Sequence, residues 1–321
     1  MSSSGWRVNY ALRPAKGIQR KLICEILRQL NKVVDIKNYR YIGFGAHYFA
    51  DFILFHKELY INNLISIEKD KSNEDRFEFN KPYGFIDILY GVSSRVLEEQ
   101  LTWDQKTKNI IWLDYDGNLD ASKVNDFELC INKIASGSVL IISFNAEINN
   151  CNGRRLQAIR RSFNEDENKL PQNIKEKQLT PKYCHEVFHK IFDISIKKAI
   201  HEKNAKYLKD CEKFTYKQIM FFQYNDGVPM LTLGYYFMQK QDELMYEACE
   251  FSSVKGYSDK NSPKKIEMPN LTAKEIQEIN KYMPNSDEIH EKLKFLPEKD
   301  ITKYLNIYRE YPHYRETSYI Q

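Results

Sequence analysis

Residues 39–70 read YRYIGFGAHYFADFILFHKELYINNLISIEKD. The run from Tyr39 to Phe44 is apolar enough for a short strand, and Gly43-Phe44-Gly45 makes a tight turn. Apolar residues at 49, 52, 53, 55 and 59 then fit one face of a helix from Tyr48 to Leu59. Leu64 to Ile67 is a second strand, and it stops at an acid, Glu68. Strand, glycine turn, helix and a second strand closed by a carboxylate compose the opening βαβ unit of a doubly wound sheet. In such a unit glycine lets a ligand approach the backbone, and the acid takes ribose hydroxyls.

The spacing of the glycines narrows the ligand. A dinucleotide fingerprint needs a third glycine three residues beyond the second, and Gly45 is followed by Ala46, His47 and Tyr48. Close approach of a pyrophosphate is therefore not encoded, which favours a nucleoside without one, such as S-adenosylmethionine. A lone G-x-G is often only a turn; Glu68 at the matching strand end is what raises it to a site.

Working outward, the alternation of elements continues. A polar helix spans about Ser72 to Asn80, Phe85 to Leu89 is a third strand, and Ser93 or Ser94 opens a short helix. Asn109 to Tyr115, NIIWLDY, is a nearly continuous apolar run of the kind buried on both faces of a parallel sheet. Asn125 to Ile134 is helical, and Val139 to Phe144 is another central strand ending at Asn145. Ligands of open α/β sheets sit outside the carboxyl ends of the strands. Gly43, Gly45, Glu68, Tyr90, Gly91, Asp114, Asp116 and Asn145 should accordingly converge on one rim, with Phe44 and Lys69 as neighbouring cofactor contacts. Residues 150–182 read as an insertion or surface segment, and a long helix follows from about Pro181 to His201. Phe214 to Tyr224 and Met230 to Met238 are joined by Asn225-Asp226-Gly227, a strong hairpin signal. The expected fold is α/β, a doubly wound, mostly parallel seven-stranded sheet ending in an antiparallel hairpin. Three parts follow: an N-terminal arm and helix (1–38), a Rossmann-like nucleoside-binding domain (39–240) and a C-terminal lobe (241–321).

The 321 residues carry a net charge of +4, with 48 Lys and Arg against 44 Asp and Glu, so a dedicated polyanion-binding surface is not indicated. No run of about eighteen apolar residues occurs and Met1 to Gly5 is polar, from which a cytoplasmic protein without a membrane partner is expected. The six cysteines form no C-x-x-C pair and should be reduced and partly buried. Ahead of the first helix, Tyr10, Arg13 and Lys16 surround Pro14; they form either an arm over the cofactor or an anionic acceptor, or an ordinary solvated segment.

The stretches NYALRPAKGIQRKLICE, YIGFGAHYFADFILFHKEL, ISIEKD, RFEFNKPY, WLDYDG and GSVLIISFNAE resemble a bacterial O-methyltransferase family. They also resemble the wider Rossmann-fold S-adenosylmethionine-dependent methyltransferases. The resemblance covers nearly the whole chain, including FFQYNDGVPMLTLG and IYREYPHYRET. It implies that Gly43 and Gly45 line the methionine part, Glu68 holds the ribose hydroxyls, and Asp114 stands beside the transferred methyl. The pattern departs after Asp114: base-directed enzymes carry Asp/Asn-Pro-Pro-Tyr/Phe there, and this chain has Asp114-Tyr115-Asp116-Gly117, which speaks against N-methylation of a base.

Methyl transfer from a sulfonium needs alignment and a proton acceptor, and Asp114 or Asp116 is the candidate base, one like charge raising the pKa of the other. A second arrangement resembles metal-dependent catechol methyltransferases, in which Asp114, Asp116 and Asn145 would hold Mg²⁺. Phe144 stands where that family has an acid, and Asp116-Gly117 also reads as a plain turn. A different class is suggested by His185-Glu186-Val187-Phe188-His189, an H-E-x-x-H on a helix, the spacing of a zinc peptidase; helix-surface histidines are the commoner explanation. The alternatives to a methyltransferase are thus a non-catalytic S-adenosylmethionine-binding or nucleic-acid-interacting module and, further off, that metallopeptidase. The acceptor, small molecule or nucleic acid, and any homo-oligomer are not specified by the residues.

Overall fold

The computed structural model describes residues 13–148, 154–164 and 166–312. Eight strands form one sheet: β1 (Arg40–Gly43), β2 (Asn63–Glu68), β3 (Ile86–Tyr90), β4 (Asn109–Asn118), β5 (Ser138–Asn145), β6 (Phe214–Asn225), β7 (Pro229–Gln239) and β8 (Lys264–Ile266). Their order across the sheet is β3-β2-β1-β4-β5-β7-β6-β8. The first five run parallel, and β7 lies antiparallel between β5 and β6. Seven of the strands match the expected sheet. The eighth is an addition: the Lys- and Ser-rich tail segment pairs β8 parallel to β6, giving that edge three more residues of backbone partners.

The apolar runs are continuous because both faces of the sheet are covered. Along β4, Ile111 and Leu113 enter one core and Ile110 and Trp112 the other. Helices Ala121–Lys133 and Cys184–Asn204 close the first core through residues such as Phe127, Ile131, Phe188 and Phe192. Helices Pro14–Arg28 and Ala50–Leu59 close the second through Ile18, Ile23, Phe52 and Phe55. From the tail, Cys249, Phe251, Ile266 and Ile307 join this second core, whereas Ile276, Ile279, Ile289, Leu293 and Tyr304 form a small core of their own. Thr272 and Glu275 form a capping box at the start of helix Ala273–Lys281, each side chain accepting from the other's backbone N–H. Among the described cysteines, four are buried, Cys211 is exposed and none is bonded to another.

Two local departures matter for the site. Strand β4 continues through Asn118 with a register shift against β5 between Asp114 and Asn118, so Asp116-Gly117 is extended backbone rather than the turn. The first helix starts at Pro14, so Lys16, which the sequence places ahead of it, lies in its first turn. Its two leading N–H groups, of Ala15 and Lys16, donate to the Asp226 carboxylate at 3.2 and 2.8 Å. Asp226 belongs to the β6–β7 hairpin turn, so a turn residue supplies the cap of a helix far away in sequence. Asp226→Ala should lower stability by about 1 kcal/mol. An unchanged midpoint in urea unfolding would show that the cap contributes nothing.

Candidate cofactor and active site

The loop after β1 is shaped by contacts to β2. Gly45 N–H donates to Ser66 Oγ at 2.9 Å, Ala46 N–H donates to Glu68 Oε1 at 2.8 Å, and Ser66 Oγ–H donates to the same oxygen at 2.8 Å. A Cβ on Gly45 would lie 2.5 Å from the Phe49 ring and 2.8 Å from Ser66 Oγ, so only glycine allows this approach. Ala46 and Phe49 both take left-handed backbone, with φ of 48° and 45°, in a conformation that side chains disfavour. Glu68 is the residue that holds the loop in place. It is 7 % exposed, and burial pushes its pKa up to about 7, against the hydrogen bonds from Ser66 and Ala46 that favour the charged form. At the next strand end, Gly91 N–H donates to the Glu68 carbonyl at 2.9 Å.

A buried charge cluster lies beside this loop. Lys16 Nζ donates to Asp114 Oδ1 at 2.6 Å and to Tyr224 Oη at 3.1 Å, and it sits 4.5 Å from the centre of the Trp112 ring. Burial lowers the Lys16 pKa, and the attraction of Asp114 opposes it. One helical turn on, Arg20 Nε donates to Asp51 Oδ1 at 3.0 Å, and the Tyr41 hydroxyl donates to Asp51 Oδ2 at 3.1 Å. Lys16 and Arg20 share one helix face because they are four residues apart. Asp114 is thus paired directly with a cation, Lys16, a partner that its sequence neighbourhood does not show.

Arg20, Phe44, Gly45, Ala46, Tyr48, Asp51, Asp114 and Asp116 line one cleft at the carboxyl ends of β1 and β4. Its volume, about 60 Å³, is room for a couple of waters, so a larger guest requires side chains at its mouth such as Tyr48 to move. Asp114 is half-buried and Asp116 exposed at the rim. Lys69 is exposed, and Arg13 is half-buried at the start of the first helix. Lys16, 1 % exposed, directs its ammonium into the cluster rather than to solvent. Tyr10 lies outside the described residues.

Asn145 pairs with Asn118, and its Oδ1 accepts from Glu147 N–H at 2.8 Å. With Asp114 Oδ1 given to Lys16, two of the oxygens expected around Mg²⁺ have partners within the protein. Among the described residues no group of three or more His, Cys, Asp or Glu could hold a metal ion. His185 and His189 do line one open hollow, with Glu186 and Asp259. Gln218 Nε2 donates to the carbonyls of Ser258 and Lys260, which leaves its Oε1 to accept from His189 Nε2 at 2.8 Å. His189 Nε2 is thus engaged by Gln218 rather than turned to the hollow alone.

With this geometry in view, the whole-chain pattern is decisive. The family model described as "Putative O-methyltransferase" matches residues 8–319. The chain belongs to this O-methyltransferase family. Among solved structures it is similar to Trm1 from Pyrococcus horikoshii in complex with S-adenosyl-L-methionine, at 14% identity and TM-score 0.45, over 71% of this chain and 57% of that one. It is also similar to P. horikoshii TYW2 in complex with MeSAdo, at 11% identity and TM-score 0.36, over 67% of this chain and 62% of that one. A third is the O-methyltransferase TomG from Streptomyces achromogenes, at 13% identity and TM-score 0.32, over 66% of this chain and 78% of that one. These are likenesses of fold, and the chain spans less than two thirds of the length of the first two. No curated protein matches the chain.

In this family member, sequence reasoning missed Arg20, Asp51 and Ser66. Arg20 was legible as the i+4 neighbour of Lys16, and Asp51 as an acid in the first turn of the helix after the glycine loop. Ser66 carried no signal, since it reads as an ordinary strand residue until its hydroxyl is seen bridging Gly45 and Glu68. No helix of the described residues is long and apolar enough to cross a membrane.

Proposed function

We propose that this chain transfers the methyl group of S-adenosylmethionine to a hydroxyl oxygen, with the nucleoside lying across the carboxyl ends of β2, β1 and β4. The observation that supports this is the meeting of the Gly43–Gly45 loop, Glu68, Asp114 and Asp116 on one rim of the sheet. The family description and the missing Pro-Pro pair after Asp114 favour oxygen over a base nitrogen. Bound there, the sulfonium supplies an electrophilic methyl carbon whose bond to sulfur breaks as the acceptor oxygen bonds to it, leaving a methyl ether and S-adenosylhomocysteine. Glu68 accepts from the ribose hydroxyls, the glycine loop lets the sulfur approach the backbone, and Asp116 takes the proton released by the acceptor hydroxyl.

Calorimetry with S-adenosylmethionine tests the reading. Glu68→Ala should weaken binding by roughly ten- to a few hundredfold, the loss of one or two hydrogen bonds to a charged acceptor. The variant should also lose some stability, because Ala46 N–H and Ser66 lose their acceptor. The pH dependence has a definite sign. Glu68 is raised from 4.5 to about 7 by burial, with Asp51 adding like charge, so its contribution to stability is present below 4.5 and lost as pH rises through about 7. Ribose donors prefer the ionised carboxylate, so affinity should rise about tenfold between pH 6 and pH 8 and stay flat in Glu68→Gln. A parent protein that binds no S-adenosylmethionine at either pH would end the proposal.

A further inference from the structure

The small net charge of the chain hides a local concentration. Residues 146–182 hold eight Lys and Arg against five Asp and Glu, which is most of the net +4, and four of the thirteen arginines fall at 154, 155, 160 and 161. Helix Arg155–Ser162 and its N-cap, Arg154, carry them. Ile159 and Phe163 enter the first core with Leu156 packed beside them, so the opposite face looks outward. Arg154 and Arg161, both exposed, lie two turns apart on that face, about 10 Å along the axis, with Arg155 and Arg160 on its flanks. The Glu176 carboxylate accepts from the backbone N–H groups of Arg155 and Leu156 at 2.5 and 3.0 Å and so caps the helix. Lys169 is turned to Asn125 and Glu128. Among the described residues none of the four guanidiniums makes an ion pair, and Lys175 and Lys177 add exposed cations beside the helix. This segment is tethered to the rim that bears Asp116. Ala146 directly follows β5, Asn118 Nδ2 donates to the Glu147 carbonyl at 2.6 Å, and the Cys184 thiol donates to the Ala146 carbonyl at 3.6 Å. Burial pushes that thiol's pKa up to about 11, and the Arg155 charge is near enough to oppose it.

Resting on the O-methyl reading above, we infer that the acceptor is an RNA strand, its phosphates held by Arg154, Arg155, Arg160 and Arg161 while a ribose 2′-hydroxyl reaches Asp116. Guanidiniums spread over two helical turns exceed what one small phosphorylated molecule can engage, and they fit a run of phosphates. Oxygen-directed transfer needs a hydroxyl beside those phosphates, and RNA carries one on every ribose where DNA has none within the strand. An anionic membrane would need an apolar helix face to enter it; here Ile159 and Phe163 are already buried in the core. In the step itself the methyl–sulfur bond breaks as the 2′-oxygen bonds to the methyl carbon. The hydroxyl proton passes to Asp116, and S-adenosylhomocysteine leaves.

A short dye-labelled single-stranded RNA of mixed sequence, titrated with the full-length protein at several salt concentrations, reads the contact by anisotropy. Arg154→Gln combined with Arg161→Gln should weaken binding about tenfold or more and reduce the slope of log affinity against log salt by about 1.4, two single-strand phosphate contacts. Affinity of that variant for S-adenosylmethionine should stay that of the parent. Lys274→Gln with Lys294→Gln, which removes the same charge from exposed positions in the tail, should leave RNA affinity and slope unchanged. In a cell extract given labelled S-adenosylmethionine, prior digestion with ribonuclease, then inhibited, should abolish labelling by the added protein. Prior digestion with protease, then inhibited, should not. A parent that binds S-adenosylmethionine but no RNA, or a slope unchanged in the arginine variant or changed equally in the control, overturns the RNA assignment and leaves the methyltransferase reading standing. So does binding to anionic phospholipid vesicles in place of RNA, or labelling that survives ribonuclease. A parent that binds no S-adenosylmethionine removes that reading and this inference with it.

Discussion

Asp116→Asn is expected to bind S-adenosylmethionine about as the parent does and to lose methyl transfer by a factor on the order of 10² to 10⁴. Asp116 is exposed on the extended end of β4, at the mouth of the cleft, whereas Asp114 lies deeper and is held by Lys16. An incoming hydroxyl therefore meets Asp116 first. Proton removal sharpens the oxygen as a nucleophile, and an amide of the same shape cannot accept that proton. The measurement is transfer of a labelled methyl group to whatever acceptor the parent labels in a cell extract, with cofactor affinity followed in parallel. Equal transfer by Asp116→Asn, at equal affinity, would move the proton acceptor elsewhere.

A second large effect concerns folding. Lys16→Met is expected to lower the free energy of unfolding by about 3 kcal/mol, the low end for breaking a buried ion pair because the Asp114 side chain is 15% exposed. The cost arises mainly from the carboxylate left without its cation, since the methylenes of Lys16 and the Trp112 face are replaced by comparable apolar contact. Lys16→Met combined with Asp114→Asn should therefore recover at least half of the loss. Urea unfolding of the parent, both single variants and the double variant gives the coupling. If Lys16→Met is as stable as the parent, or if the two losses simply add, the pair does not organise this end of the sheet.

The elements of the sheet were legible because each apolar run was bounded by turn chemistry. NIIWLDY and SVLIISFN announce central strands by their unbroken hydrophobicity, and Asn225-Asp226-Gly227 announces the hairpin that reverses direction. The candidate cofactor residues at Gly43, Gly45 and Glu68 were legible for a similar reason: a glycine turn and a strand-end acid are local signals. The three-residue strand β8 was not, being too short to show a period and depending on the open edge of β6 for its partners.

What the sequence by itself determined is the alternation of strands and helices, the βαβ unit and the carboxylates at the strand ends, all properties of neighbours within a few residues. Which of those carboxylates carries which partner was decided only by tertiary structure. Lys16 reaches Asp114 and Arg20 reaches Asp51 because helix Pro14–Arg28 packs against helix Ala50–Leu59 and β6 and is capped at its start by Asp226. The three contacts join residues far apart in the chain, and no periodicity records them. They form because cations buried beside the second core need carboxylates within hydrogen-bond reach, and the fold brings them together at this rim.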